Sequence, residues 1–143
     1  MSSETITRND LTAILNEVLP SAAADHIVEQ GTSGIWTYRK WNSGIAECWG
    51  TRASVSVNFN TWVTSWYYGY FTGISLPFTF AGIPVVMQYC SSSGGDIYAT
   101  GASVENAGGQ ATTTNTGGTV VFRGQSKSGV PVSVRYYVIG KWK

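Results

Sequence analysis

Two hydrophobic periods divide the chain. Leu11, Ile14, Leu15, Val18 and Leu19 recur at helical spacing, with Thr7 or Asn9 placed to cap the helix and Pro20 to stop it. From Ile35 the period becomes two. Residues 35–41 and 45–50 are β-rich runs that flank Asn42-Ser43-Gly44, which predicts a hairpin. Residues 54–59 alternate strictly, placing Val55, Val57 and Phe59 on one face and Ser54, Ser56 and Asn58 on the other. Residues 60–69 are dense in aromatics without clean alternation. Further strand material lies in Tyr70-Phe71, Phe78, Phe80 and residues 83–89, which Pro77 and Pro84 confine to edges or strand beginnings.

Residues 97–104, 110–114, 119–123 and 132–141 are four more candidate strands, separated by Gly-containing turn segments at 106–109, 115–118 and 127–129. Turns at this spacing predict an all-β fold: an antiparallel β-sandwich of about eight short strands, preceded by a short N-terminal α-helix. The last strand points Val132, Val134, Tyr136 and Val138 inward and Ser133, Arg135, Tyr137 and Ile139 outward. Two large apolar side chains thus fall on the supposedly wet face, so that face needs a cover, either the helix or a neighbouring chain. The helix stripe needs one too, because about ten helical residues are marginal alone in water. It either docks on the β domain or pairs with copies of itself.

Charge sharpens the division. Residues 1–30 hold five acids and one base, residues 31–143 three acids and eight bases. The boundary predicted from this separates an N-terminal helical, coiled-coil-like segment with its linker (1–30) from a β-sandwich domain (31–143). The whole chain, 143 residues with net charge +1, has no basic excess to hold phosphates, which argues against nucleic acid as a partner. The apolar runs are short and the first ten residues are polar, so neither membrane insertion nor a signal peptide is expected.

Catalytic chemistry has little to work with. His26 is the single histidine and lies beside the helix end, outside the predicted β domain. Cys48 and Cys90 lack CxxC or His spacing, so no metal site is expected and no partner is in view to activate a thiol nucleophile. A pair of carboxylates around a glycosidic bond remains conceivable. The β region, however, offers only Glu47, Asp96 and Glu105, and Glu47 is better explained by an ion pair with Arg39 or Lys40 across the hairpin. The Gly-rich stretches lack the GK[ST] and helix of a phosphate loop. No enzyme activity and no cofactor are expected.

Binding is the remaining class. Trp62, Trp66, Tyr67 and Tyr68 fall within ten residues, flanked by Asn60, Thr61, Thr64 and Ser65. Aromatic faces stack on the apolar face of a sugar while amides and hydroxyls read its OH groups. The competing explanation is that these rings fill the sandwich core or a subunit interface, where Trp and Tyr are also enriched.

Residues 34–50, Gly-Ile-Trp-Thr-Tyr-Arg-Lys-Trp-Asn-Ser-Gly-Ile-Ala-Glu-Cys-Trp-Gly, with the closing residues 137–143, Tyr-Val-Ile-Gly-Lys-Trp-Lys, resemble the C-terminal domain of tail-fibre and minor structural (receptor-binding) proteins of tailed bacteriophages and prophages, especially those of Gram-positive hosts. The resemblance spans residues 27–143, with two specific ends and a variable middle. A weaker likeness, from Tyr70-Phe71 through Pro84-Val85-Val86 to residues 134–140, is to the β-sandwiches of H-type lectins. That family's sugar-binding positions have no match here, and none is carried over.

The resemblance implies a virion fibre protein whose trimeric, lectin-like tip recognises host cell-surface carbohydrate. Its partners would be two further copies of itself and other virion structural proteins. Synthesis in the bacterial cytoplasm followed by release on lysis would fit a surface-type composition without a signal peptide. The alternative is a purely structural virion module: a head fibre, a decoration or a trimerisation domain. A reducing cytoplasm, with Cys48 in a hairpin strand and Cys90 ending another run, implies two unpaired thiols.

Overall fold

The computed structural model describes residues 7–94, 97, 99–102 and 109–143; of the helix beyond Leu15 and of residues 99–102 it describes the backbone alone. A helix, α1 (Arg8–Ala23), precedes nine strands among the described residues: β1 (Ile27–Ser33), β2 (Trp36–Trp41), β3 (Ile45–Phe59), β4 (Thr61–Val63), β5 (Trp66–Phe71), β6 (Val85–Ser92), β7 (Ala99–Ala102), β8 (Thr119–Arg123) and β9 (Lys127–Lys141). They form two antiparallel sheets, ordered β1-β2-β3-β9-β6 and β4-β5-β8-β7. The all-β sandwich with a leading helix is therefore the fold. Its two longest strands, β3 and β9, have 15 residues each and are not short.

Local chemistry explains the ends of these elements. Thr7 caps α1 through a reciprocal box: the Asp10 N–H donates to Thr7 Oγ1 (3.2 Å) and the Thr7 N–H to Asp10 Oδ2 (2.9 Å). Pro20 does not stop the helix, which runs on to Ala23. Proline there forgoes its own i−4 hydrogen bond and its ring crowds the carbonyl four residues back, a cost the helix carries near its end. The β2–β3 hairpin turns at Asn42-Ser43-Gly44, with Gly44 at φ 92°, and Trp142 ties the C-terminus to it by donating from Nε1 to the Trp41 carbonyl (3.0 Å).

β1, Ile27–Ser33, spans the residues where the charge balance changes and pairs with β2. Other expectations are corrected. Residues 110–114 are not a strand. Their carbonyls serve the loop 74–80 instead: the Leu76 N–H donates to Thr114 O (2.8 Å) and the Phe80 N–H to Thr113 O (2.9 Å). Residues 127–129 are not a turn but the start of β9, where Gly129 takes a left-handed φ of 67° that lets the strand continue.

The core lies between the sheets. Val57 and Phe59 of β3, Phe71 of β5, Val121 of β8 and Val130, Val132, Val134, Tyr136 and Val138 of β9 are buried in one cluster with Trp36, Cys48, Phe80 and Cys90. The inward positions of the last strand are as the alternation predicts. Its outward side is less covered: Tyr137 and Ile139 are half-buried, and their neighbours across the ladder on β6, Met87 and Val85, are exposed. The helix does not supply the cover, since Leu11, Ile14 and Leu15 are themselves half exposed.

Both cysteines are free and buried. Burial, helped by the neighbouring Glu47 charge, pushes the Cys48 thiol up to about 12, and burial pushes Cys90 up to about 11. The thiolate is the reactive form. Native protein at pH 8 should therefore take up no alkylating agent over minutes while the unfolded chain takes up two equivalents, as read by mass spectrometry; rapid native labelling would show that the core opens.

Candidate functional site

Strand alternation divides the four candidate aromatics into two pairs. β4 and β5 form a hairpin around Thr64 and Ser65, pairing Thr61 with Tyr68, Trp62 with Tyr67 and Val63 with Trp66. Thr64 sits at φ 53°, a left-handed conformation unusual for a β-branched residue. Trp62 and Tyr67 share one face and meet edge to face, with ring centroids 4.9 Å apart. That face continues along β5 to the buried Gly69 and Phe71, and Tyr67 packs against the core although Trp62 is 54% exposed. Trp66 and Tyr68 lie on the opposite, outward face, and Tyr68 has Phe122 of β8 beside it at 6.4 Å.

Tyr70, two residues on, completes this outward row and is 46% exposed. It was missed among the candidates because nothing in its local spacing separates it from the core residue Phe71 that follows; only the pairing of β5 with β8 assigns its face. Beside the row, β3 passes close to β5. A Cβ on Gly69 would stand 2.3 Å from Val57 Cγ1 and 2.8 Å from the Asn58 carbonyl, so only glycine permits the approach. There the outward side chains of the two strands enclose a concavity of about 360 Å³, lined by Ser56, Asn58, Asn60, Thr61, Tyr68, Gly69 and Tyr70.

The acid candidates separate. Glu47 is buried on the outer face of the larger sheet and pairs with its cross-strand neighbour Arg39 (2.6 Å), as expected, and it also accepts a hydrogen bond from the Tyr137 hydroxyl. That bond to a carboxylate raises the Tyr137 phenol above its usual range. Arg39 lies over two rings, 4.9 Å from Trp49 and 5.5 Å from Trp41. With its carboxylate committed to two partners, Glu47 has a structural role. Asp96 and Glu105 lie outside the described residues. Among the described residues no group of three or more His, Cys, Asp or Glu gathers, and no helix is long and apolar enough to cross a membrane.

No family model matches the sequence, and no curated protein matches it. Its fold is shared with solved structures. The chain is similar to an N-truncated R1-type pyocin tail fibre (TM-score 0.52, 13% identity), with 98% of this chain and 99% of that one aligned. It is likewise similar to a Pseudomonas aeruginosa R1 pyocin fibre comprising C-terminal residues 323–701 (TM-score 0.52, 13% identity), covering 96% of this chain and 35% of that one. The similarity shows that this chain shares its fold with these tail fibres.

Proposed function

We propose that this chain is a fibre-type virion protein, a homotrimer joined to other virion structural proteins, whose sandwich recognises host-surface carbohydrate. It would be made in the bacterial cytoplasm and released by lysis. The observation that carries this reading is the outward aromatic row of Trp66, Tyr68 and Tyr70 on the smaller sheet of a tail-fibre fold. Rings presented on one face of a strand offer the kind of surface on which the apolar face of a sugar stacks. Trp62, exposed on the opposite face of the hairpin beside Tyr67, lies outside this row. We assign the chain no catalytic role.

The test is adsorption. The purified protein is expected to bind host cells and their isolated surface polysaccharide. Trp66→Ala and Tyr68→Ala should each weaken binding by about tenfold or more, as truncated contact aromatics do, with melting curves little changed, while Trp62→Ala on the opposite face of the hairpin should change binding far less. Variants that unfold instead would mean the rings are core or interface and would favour a purely structural virion module. Absence of binding by the intact chain would dismiss the recognition reading altogether.

A further inference from the structure

We infer that the concavity between β3 and β5 is the pocket that seats a terminal, uncharged sugar residue of the glycan, with Tyr70 as its stacking ring and Asn58 as its fixed amide. This inference rests on the carbohydrate-recognition reading and adds the place and the class of sugar. Three observations carry it.

The first is polar groups left without partners. Among the described residues, the hydroxyls of Ser56, Thr61, Tyr68 and Tyr70 and the Nδ2 of Asn58 make no hydrogen bond within the protein, yet all line one concavity. They are donors and acceptors open to a ligand that enters the concavity. The second is preorganisation. The Gly129 N–H donates to Asn58 Oδ1 at 2.8 Å. A backbone N–H can be accepted only by the amide oxygen, so Nδ2 must point away from it as a free donor. Asn60 is held in turn by Ser128, whose Oγ lies 3.2 Å from Nδ2 and 3.3 Å from Oδ1. Side chains anchored in this way lose less conformational freedom on binding.

The third observation is charge and size. The lining contains no Asp, Glu, Lys, Arg or His. A carboxylate or ammonium entering it would lose hydration without gaining a counter-charge, so uronic, sialic and unacylated amino sugars are disfavoured against neutral ones. About 360 Å³ lies at the low end of ligand sites and suits one chain-terminal residue better than an extended chain. Tyr68 and Tyr70, on the same face, supply the aromatic surface, and the amide and hydroxyls opposite supply the hydroxyl readers.

Nuclear magnetic resonance of the full-length, 15N-labelled protein tests this directly, because the Asn58 side-chain amide and the Gly69 N–H report from the pocket itself. The probes are methyl α-D-mannopyranoside, methyl β-D-galactopyranoside, N-acetyl-D-glucosamine, D-glucuronate, D-glucosamine and isolated host polysaccharide. Saturable shifts of the Asn58 amide with the polysaccharide and with at least one neutral sugar are expected, with the two charged sugars at least about tenfold weaker. Tyr70→Ala should weaken the response about tenfold, Tyr70→Phe should retain most of it, and Ile83→Ala in the loop before β6 should leave it unchanged. Polysaccharide binding that leaves Asn58 and Gly69 silent and moves only tryptophan indole signals would overturn the pocket while leaving carbohydrate recognition standing. Equal affinity for D-glucuronate would overturn the choice of sugar class. No response to any probe, polysaccharide included, would overturn both.

Discussion

Phe59→Ala should cost about 3–5 kcal/mol of folding free energy, the range for removing a fully buried phenylalanine. The ring is completely buried at the end of β3, one residue before Asn60, beyond which the chain continues into β4 of the other sheet. Its cluster includes Phe71 and Val121 from one sheet and Val130 and Val132 from the other, so it belongs to the core that both sheets share. Truncation leaves a cavity that well-packed strands cannot close. Against a total stability of about 5–15 kcal/mol for a domain, that is a large share. A denaturant titration should show a lower midpoint at unchanged slope. Ile83→Ala, at a side chain 71% exposed, should stay within about 0.5 kcal/mol. A Phe59→Ala cost below about 1 kcal/mol would show that the sheets are held together elsewhere.

The same strand shows what a sequence can and cannot disclose. Val55, Val57 and Phe59 alternate with Ser54, Ser56 and Asn58 because one side of β3 is dry and the other wet, and the pattern reads directly. The β4–β5 hairpin is invisible by this criterion. Aromatics occupy both of its faces, erasing the period, and its turn uses Thr64 where glycine would have announced it. β1 escapes for the opposite reason: as an exposed edge strand of residues such as Glu29, Gln30 and Thr32, it buries too little to need hydrophobic alternation. Residues 110–114 have strand-like composition, but their backbone bonds are spent on a loop, a tertiary choice that local propensity does not encode. At the candidate site the residue types were legible, Trp62, Trp66, Tyr67 and Tyr68 among them. Their division between two faces, and the recruitment of Asn58 and Tyr70, depend on the approach of β3 to Gly69, which no spacing rule predicts.

Light scattering on the purified protein should give a mass of about 46 kDa, three times the chain's 15.4 kDa. The argument starts from surfaces that the subunit leaves uncovered. On edge strand β6, Val85 and Tyr89 are each 62% exposed and Met87 is 52% exposed, and they continue across the ladder into Ile139, Tyr137 and Arg135 of β9. An open edge bearing such side chains invites association with other chains. On α1, Leu11, Ile14 and Leu15 form a second uncovered stripe. Closing three copies around one axis would cover both, with the helices in register beside the sandwiches. A mass near 15.4 kDa would reject the proposal, and about 31 kDa would keep the buried surface but exclude the threefold. Removing residues 1–24 then weighs the two surfaces. The cut spares Asp25, whose carboxylate accepts from the Ser43 hydroxyl (3.0 Å), and the His26 N–H, which donates to Asn42 Oδ1 (3.0 Å), so the hairpin keeps its anchor. Val85, Met87 and Tyr89 of β6 join Tyr137 and Ile139 of β9 in one continuous face that the cut leaves intact, so the truncated chain should remain trimeric with a lower melting temperature. A folded monomer would assign assembly to the helix alone.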